Sequence, residues 1–407
     1  MNMVNYVRDI EPRMEKNLYT RAAKQIHYNK EKIPRIPFAP VRCHVRSGFP
    51  GTGLKGIELK YGIGRMDEKH DKSKGKRGMV LYYIGIDIGG TKCAVSLGCS
   101  DGQGNVQVIH KCQKRLTEKR SPDLVLPELL EDVKYCISQS EEAPKAIGIS
   151  CGGPLSSKEG LVLSPPNLIG WDRVPIVEYF QKATGLPTFL CNDANAGALA
   201  EWRMGAGRGT QNMVFMTFGT GLGAGLILNG QLYEGTSDSA GELGHIRLAP
   251  FGPVGYGKSG SFEGFCSGGG IAQLAKSYIT EELQLGKSPA LCPTVEQLND
   301  LTAEKVCIAA REGDTLAKKI ISKCGQMLGV GLSIVMDMLN PEKIVIGSVF
   351  TRARDLLWPE AEKVILQEAL EYTRQVCQVV PCGLTESVGD IAALTVAVYY
   401  YERSIQE

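Results

Sequence analysis

The stretch from Tyr82 to Gly98, YYIGIDIGGTKCAVSLG, constrains the fold most. Ile84 and Ile86 run as a buried strand into Asp87, Gly89-Gly90-Thr91 makes a turn, and Cys93 to Leu97 leaves it as a second strand. The two glycines let the backbone come close to a ligand. Their N–H groups, with the Thr91 hydroxyl, can face phosphate oxygens as turn nests do. A carboxylate at Asp87, on a buried strand, is costly unless it holds a metal or joins a hydrogen-bond network. The pattern returns about 130 residues later in Met213 to Gly230, MVFMTFGTGLGAGLILNG, around the turn Gly219-Thr220-Gly221-Leu222-Gly223. A strand-turn-strand unit repeated at that distance predicts two similar domains that each offer a phosphate hairpin to one cleft. The plainer reading, two ordinary β-hairpins, leaves unexplained the acid before the first turn and the Gly-Thr in both.

The chain is long enough, at 407 residues, for two domains with full cores. Its net charge of +2 gives no sign of nucleic-acid binding, but residues 1–78 hold 18 Lys and Arg against 8 Asp and Glu. That asymmetry marks either a basic interaction arm or a disordered extension over residues 1–80, the latter favoured by its prolines and glycines. Met14 to Tyr28 is a short candidate helix, and no helix-turn-helix pattern occurs. Met79 stands directly before the first core strand, so translation starting there would leave the fold intact. The thirteen cysteines are scattered without a CxxC pair, as expected of reduced thiols used as small apolar residues. We find no apolar run near the ~18 residues a membrane span needs and no signal-peptide core, and expect a cytoplasmic protein without a membrane partner.

Further along, Asn105 to Gln113 reads as a third strand and Pro127 to Ser140 as a helix. Lys145 to Ser150 is a strand ending in Cys151-Gly152-Gly153-Pro154, the kind of abrupt stop where α/β sheets bind ligands. A loop with Asn167, a helix from Pro175 and a strand from Pro187 lead to Cys191-Asn192-Asp193 and an Ala-rich helix. Asp193 at that junction can cap the helix or project as a general base; the neighbouring turns favour the base. Glu242 and His245, three apart, share one face of a turn and can bind hydroxyls, bind a metal or pair with each other. The glycine-rich stretch Pro250 to Gly270 carries one acid, Glu263. Helices are expected over Ile271–Gln284, Thr294–Glu312, Thr315–Leu339 and Ser387–Tyr401, with a strand at Lys343–Ser348.

In order, DIGGTK, GGP, SPPN, NDANAGALAE, GTGLGAG, GELGH and FEGF-SG resemble the motifs of the ROK family of sugar kinases and repressors, across about residues 81–400. The resemblance implies an α/β, two-lobed actin-like ATPase fold with an interlobe cleft. It implies a small lobe over 81–191 plus 387–407 and a large lobe over 192–386. It further implies ATP and Mg²⁺ as cofactors and phosphorylation of a hexose, glucose-like, at the 6-hydroxyl. Residue by residue, Asp87, Gly89, Gly90, Thr91 and Lys92 correspond to the first phosphate loop, with Asp87 towards Mg²⁺. Gly219, Thr220, Gly221 and Gly223 correspond to the second loop, and Gly347 to the adenosine-side turn, where Ser348 replaces a frequent second glycine. Asn192 and Asp193 match the family's Asn-Asp, Asp193 as general base. Glu242, His245 and Glu263 match its sugar ligands, and Gly153 and Asn167 its sugar-side loops.

The family's zinc pattern, CxCGxxGCxE, falls on Val254 to Glu263, where Val254, Tyr256 and Ser261 stand at the cysteine positions. None can be a thiolate ligand, so no zinc site is expected, and Val254 with Tyr256 is expected to pack the loop as a small apolar cluster. The resemblance leaves open an N-acetylhexosamine or fructose kinase, a sugar-responsive transcriptional regulator, and a sugar-binding pseudokinase, which both intact turns oppose. A homodimer through helices between 270 and 340 follows from it by analogy.

Overall fold

The computed structural model describes residues 80–102, 104–384 and 388–406. The basic extension, except Val80, lies outside the described residues, as do the Met14–Tyr28 helix and the start at Met79. The first sheet is built from β1 (Leu81–Ile88), β2 (Lys92–Ser100), β3 (Val106–Lys111), β4 (Arg115–Leu116), β5 (Ile147–Cys151) and β8 (Thr188–Asn192). Two short strands, β6 (Leu155–Ser156) and β7 (Leu161–Val162), pair apart from it. Its order is β3-β2-β1-β5-β8, antiparallel from β3 to β1 and parallel from β1 to β8. Helices α1 (Pro122–Ser138) and α2 (Ile176–Thr184) pack on one side of it.

Helix α3 (Asp193–Met204) leads to the second sheet, from β9 (Met213–Phe218), β10 (Leu222–Leu228) and β11 (Gln231–Leu232). The hairpin β12 (Val254–Gly255) and β13 (Lys258–Ser259) follows, then α4 (Phe262–Phe265), α5 (Gly268–Gln284), α6 (Ala303–Glu312) and α7 (Thr315–Leu339). Strand β14 (Lys343–Ile346), α8 (Val349–Glu368), α9 (Glu371–Val376), β15 (Gln378–Pro381) and α10 (Val388–Ser404) complete the described chain. The second sheet runs β11-β10-β9-β14-β15, again antiparallel for the first three strands and parallel for the last three. Both sheets thus repeat one strand order, the arrangement of the two-lobed actin-like ATPase fold.

Helices α3 and α10 pack on each other and on the sheets. Small residues allow it. A Cβ on Gly148 of β5 would lie 2.2 Å from the Ala393 carbonyl oxygen of α10, and one on Gly225 of β10 would lie 2.6 Å from the Ala194 oxygen of α3. Only glycine permits backbone that close.

Three sequence expectations change. The helix expected over Thr294–Glu312 is broken into a 3₁₀ segment, Val295–Asp300, and α6, because the Thr302 hydroxyl caps α6 by accepting from Lys305 N. Helices α8 and α9 and strand β15 carry no strong signal in the sequence. Helix α7 is long and apolar enough to cross a membrane by length and composition, contrary to the sequence reading, but 67% of its apolar window is buried against the core.

Glu201 of α3 fixes the connection that follows β15. Fully buried, its carboxylate accepts from Ala206 N at 2.7 Å, Gly383 N at 3.0 Å and Leu384 N at 2.7 Å. Glu201→Ala strands three N–H groups and is expected to lower unfolding stability by about 3 kcal/mol or more in urea titration; a change under ~1 kcal/mol would contradict this role.

Candidate active site

Strand register brings the candidate residues to one edge of the first sheet. Ile88 pairs with Cys151, and Cys151 with Asn192, so the residues that follow, Gly89, Gly152 and Asp193, leave the sheet side by side. The second sheet does the same: Ile346 pairs with Met216 and Pro381, placing Gly347 beside the end of β9.

At the first turn Gly89 N donates to Lys92 O at 3.0 Å, and the Thr117 hydroxyl donates to Gly89 O at 2.6 Å. A Cβ on Gly90 would lie 2.6 Å from Asn167 Cβ, so Asn167 adjoins this turn. At the second turn Gly219 N donates to Gly221 O at 3.0 Å, and Gly223 N to the Thr217 hydroxyl at 2.9 Å. Thr91, Lys92 and Thr220 are exposed, so both turns are open to a ligand.

Asn192 caps α3, its Oδ1 accepting from Ala194 N at 2.9 Å. Asp193 Oδ1 accepts from the same N–H at 2.8 Å. Both side chains thus share the Ala194 N–H, and Asp193 Oδ2 faces Gly152, whose Cβ would lie 3.9 Å away. Solvent reaches Asp193, yet protein crowds its carboxyl, and this desolvation pushes its pKa above the ordinary value against the pull of the backbone N–H groups of Ala194 and of Asp193 itself.

Asp87 is pushed up to about 6, first by burial and then by the nearby charges of Asp390 and Asp193. Asp390, in the first turn of α10, pairs with Lys111 of β3. Next to it, a Cβ on Gly389 would lie 2.4 Å from Asp87 Oδ2. Sequence reading missed Lys111 and Asp390 because 279 residues separate them. A carboxylate held that far above its usual range, with a second acid at its side, suits a divalent cation.

Glu242 and His245 flank a 3₁₀ turn, Leu243–His245, and both are exposed. Burial raises the pKa of Glu242, which His245 opposes and Glu263 and Asp193 reinforce, so these four groups share one electrostatic neighbourhood. Glu263 Oε2 accepts from Leu222 N at 2.9 Å, tying α4 to the second turn. Gly153 lies beside Asn192, whose Nδ2 is 3.1 Å from where a Gly153 Cβ would stand.

The loop at the family's zinc position is not the expected apolar cluster. Val254 is 45% and Tyr256 67% exposed. Instead β12 and β13 form a hairpin with the two-residue turn Tyr256-Gly257, both at positive φ, 44° and 74°. Ser261 is buried and caps α4 by accepting from Gly264 N at 3.1 Å. Valine, tyrosine and a capping serine do not make a zinc donor set. Among the described residues no three or more His, Cys, Asp and Glu converge to hold a metal.

Ser348, after Gly347, is held at φ 54° and ψ −113°, a region that favours glycine. Ser348→Gly is expected to raise unfolding stability by about 1 kcal/mol in urea titration; a loss of stability would contradict the strain. Two cavities, of about 570 and 400 Å³, lie elsewhere, beside α2.

Residues 83–398 match the family described as the ROK family. The chain is 32% identical over 281 residues to a glucokinase of Halalkalibacterium halodurans, covering 68% of this chain and 82% of that protein. Its fold resembles a glucokinase from Streptomyces griseus in complex with glucose and AMPPNP, with a TM-score of 0.62, 27% identity, and coverage of 78% of this chain and 99% of that one. It also resembles a transcriptional regulator of the same family, a homolog of the E. coli MLC protein, with a TM-score of 0.68, 28% identity and 79% coverage of both chains.

Proposed function

The chain belongs to the ROK family, and on that premise we propose that it phosphorylates a glucose-like hexose at the 6-hydroxyl with ATP, Asp193 serving as general base. The observation that carries this reading is the placement of Asp193. One carboxylate oxygen is fixed by Ala194 N, leaving Oδ2 toward Gly152 at the same sheet edge as the first glycine turn. An acid pinned by one oxygen is oriented to take a proton with the other.

In this reading Asn192, Glu242, His245 and Glu263 hold the sugar hydroxyls, with Gly153 and Asn167 at the edge of the site. Glu263 also ties the sugar to the second turn through Leu222 N. The N–H groups of Gly90 and Thr91 in the first turn and of Thr220 and Gly221 in the second face phosphate oxygens, while those of Gly89, Gly219, Leu222 and Gly223 brace the turns, and Gly347 lies on the adenosine side. A magnesium ion bound with ATP supplies charge neutralisation at the phosphates, and Asp87 is the carboxylate set to hold it. The lobes 81–191 with 387–407, and 192–386, close on the sugar and exclude water from the transfer.

Similarity to the glucose-bound glucokinase supports a kinase; similarity to a transcriptional regulator supports a second reading, a sugar sensor without turnover. A coupled ADP-release assay with MgATP and a panel of hexoses and N-acetylhexosamines separates them. Asp193→Asn is expected to keep sugar affinity and lose about 100-fold or more in kcat; near-normal turnover would refute the role. Because Asp193 acts deprotonated and its pKa is raised, kcat/KM for the sugar falls as pH drops through that raised value. The acid limb of the pH profile is thus expected above the ordinary aspartate value of ~4; a limb at or below it would contradict the assignment.

A further inference from the structure

Tyr256 sits where folding alone gives it no reason to be. Its φ is 44° in a two-residue hairpin turn, a position that glycine, asparagine or aspartate fills without strain. Its ring is 67% exposed, so little burial offsets that strain. The ring meets His245 edge to face, with centroids 6.2 Å apart and planes at 78°. Lys258, on the other side of the same turn, donates through Nζ to the His245 carbonyl at 2.7 Å. The hairpin thus grips His245 at both ring and backbone.

The grip has a firm base. Arg247 donates to Ser259 O at 2.6 Å and Ser259 Oγ to Gly252 O at 2.9 Å. The Gln273 side chain of α5 accepts from Val254 N at 3.0 Å and donates to Val254 O at 2.9 Å. Gly260 N donates to Pro253 O at 2.9 Å. These bonds fix the strands that carry Tyr256.

We propose that Tyr256 is a positioning residue for sugar recognition: its ring holds the His245 imidazole in the orientation that binds a sugar hydroxyl. This rests on the reading of His245 as a sugar ligand. The hairpin then does by aromatic contact and hydrogen bonding what metal ligation would otherwise do, namely fix the ring beside Glu242 and Glu263.

Glycine is the informative substitution, because it suits the turn better than tyrosine and removes only the ring. In the full-length chain, Tyr256→Gly is expected to melt at or above the wild-type temperature. It should raise the sugar KM by roughly 3- to 10-fold, the size of an edge-to-face aromatic contact, with kcat and the ATP KM little changed. Tyr256→Phe should match wild type in every respect. A readout independent of turnover is the His245 imidazole proton signal, assigned by its loss in His245→Gln among the five histidines of the chain. It should shift in Tyr256→Gly, as the tyrosine ring current is lost, and stay in place in Tyr256→Phe.

An unmoved His245 signal in Tyr256→Gly would overturn the proposal, and so would a moved signal with an unchanged sugar KM. If the wild-type protein turns over no sugar in the panel, the kinase reading fails by that result alone. The His245 signal then decides whether Tyr256 positions the ring: a shift in Tyr256→Gly upholds the positioning, and none overturns it.

Discussion

Register between three parallel strands governs the first sheet and everything at its edge. Because Ile88, Cys151 and Asn192 stand in line, Asp87 and Asp193 come close enough for their charges to oppose each other. Helix α10 adds Asp390 to the same neighbourhood. Acids gathered in this way raise one another's pKa and cost stability unless a cation or a donor offsets them. Lys111 offsets Asp390, and Ala194 N offsets part of Asp193. For Asp87 the charges of Lys111 and Lys114 offset only part of the push from burial, Asp390 and Asp193, which leaves it raised to about 6. The remaining charge sits beside a glycine turn whose Thr91 and Lys92 are exposed, and in the proposed reading magnesium bound with ATP would relieve it.

The second sheet repeats the strand order of the first. Its own glycine turn is braced by Thr217 from within and by Glu263 from α4. Glu263 is held in turn by the packing of its neighbour Phe262, fully buried against Gly331 of α7. Glu263 and the second glycine turn are therefore mechanically continuous with the core. The strands of the hairpin over Val254 to Ser259 are held by backbone bonds and the Gln273 clamp, and Lys258 and Tyr256 on it contact His245 without a thiolate cage.

The two strand-turn-strand units were legible because a buried strand alternates with period two and a glycine turn marks its end. Asn192 and Asp193 were legible as a strand-to-helix junction, though how they share the Ala194 N–H depends on side-chain geometry that no spacing encodes. Helix α8 was missed because Pro359 and its charged residues, such as Arg352, Arg354 and Asp355, blur the apolar stripe. The pairing of Lys111 with Asp390 joins distant segments and leaves no local trace. Tyr256 was misread as a buried apolar residue; Tyr-Gly is not among the dipeptides that announce a turn with two positive φ values, and only the backbone reveals it.

The central claim, that a sugar hydroxyl and the terminal phosphate of ATP meet beside Asp193, is tested most directly by following the reaction itself. Phosphorus NMR of the full-length chain with MgATP and ¹³C-labelled glucose should show ATP converted to ADP only when sugar is present, with a new phosphomonoester coupled to carbon 6. No phosphomonoester with any hexose while the sugar binds, or ADP formed at the same rate without sugar, would contradict it.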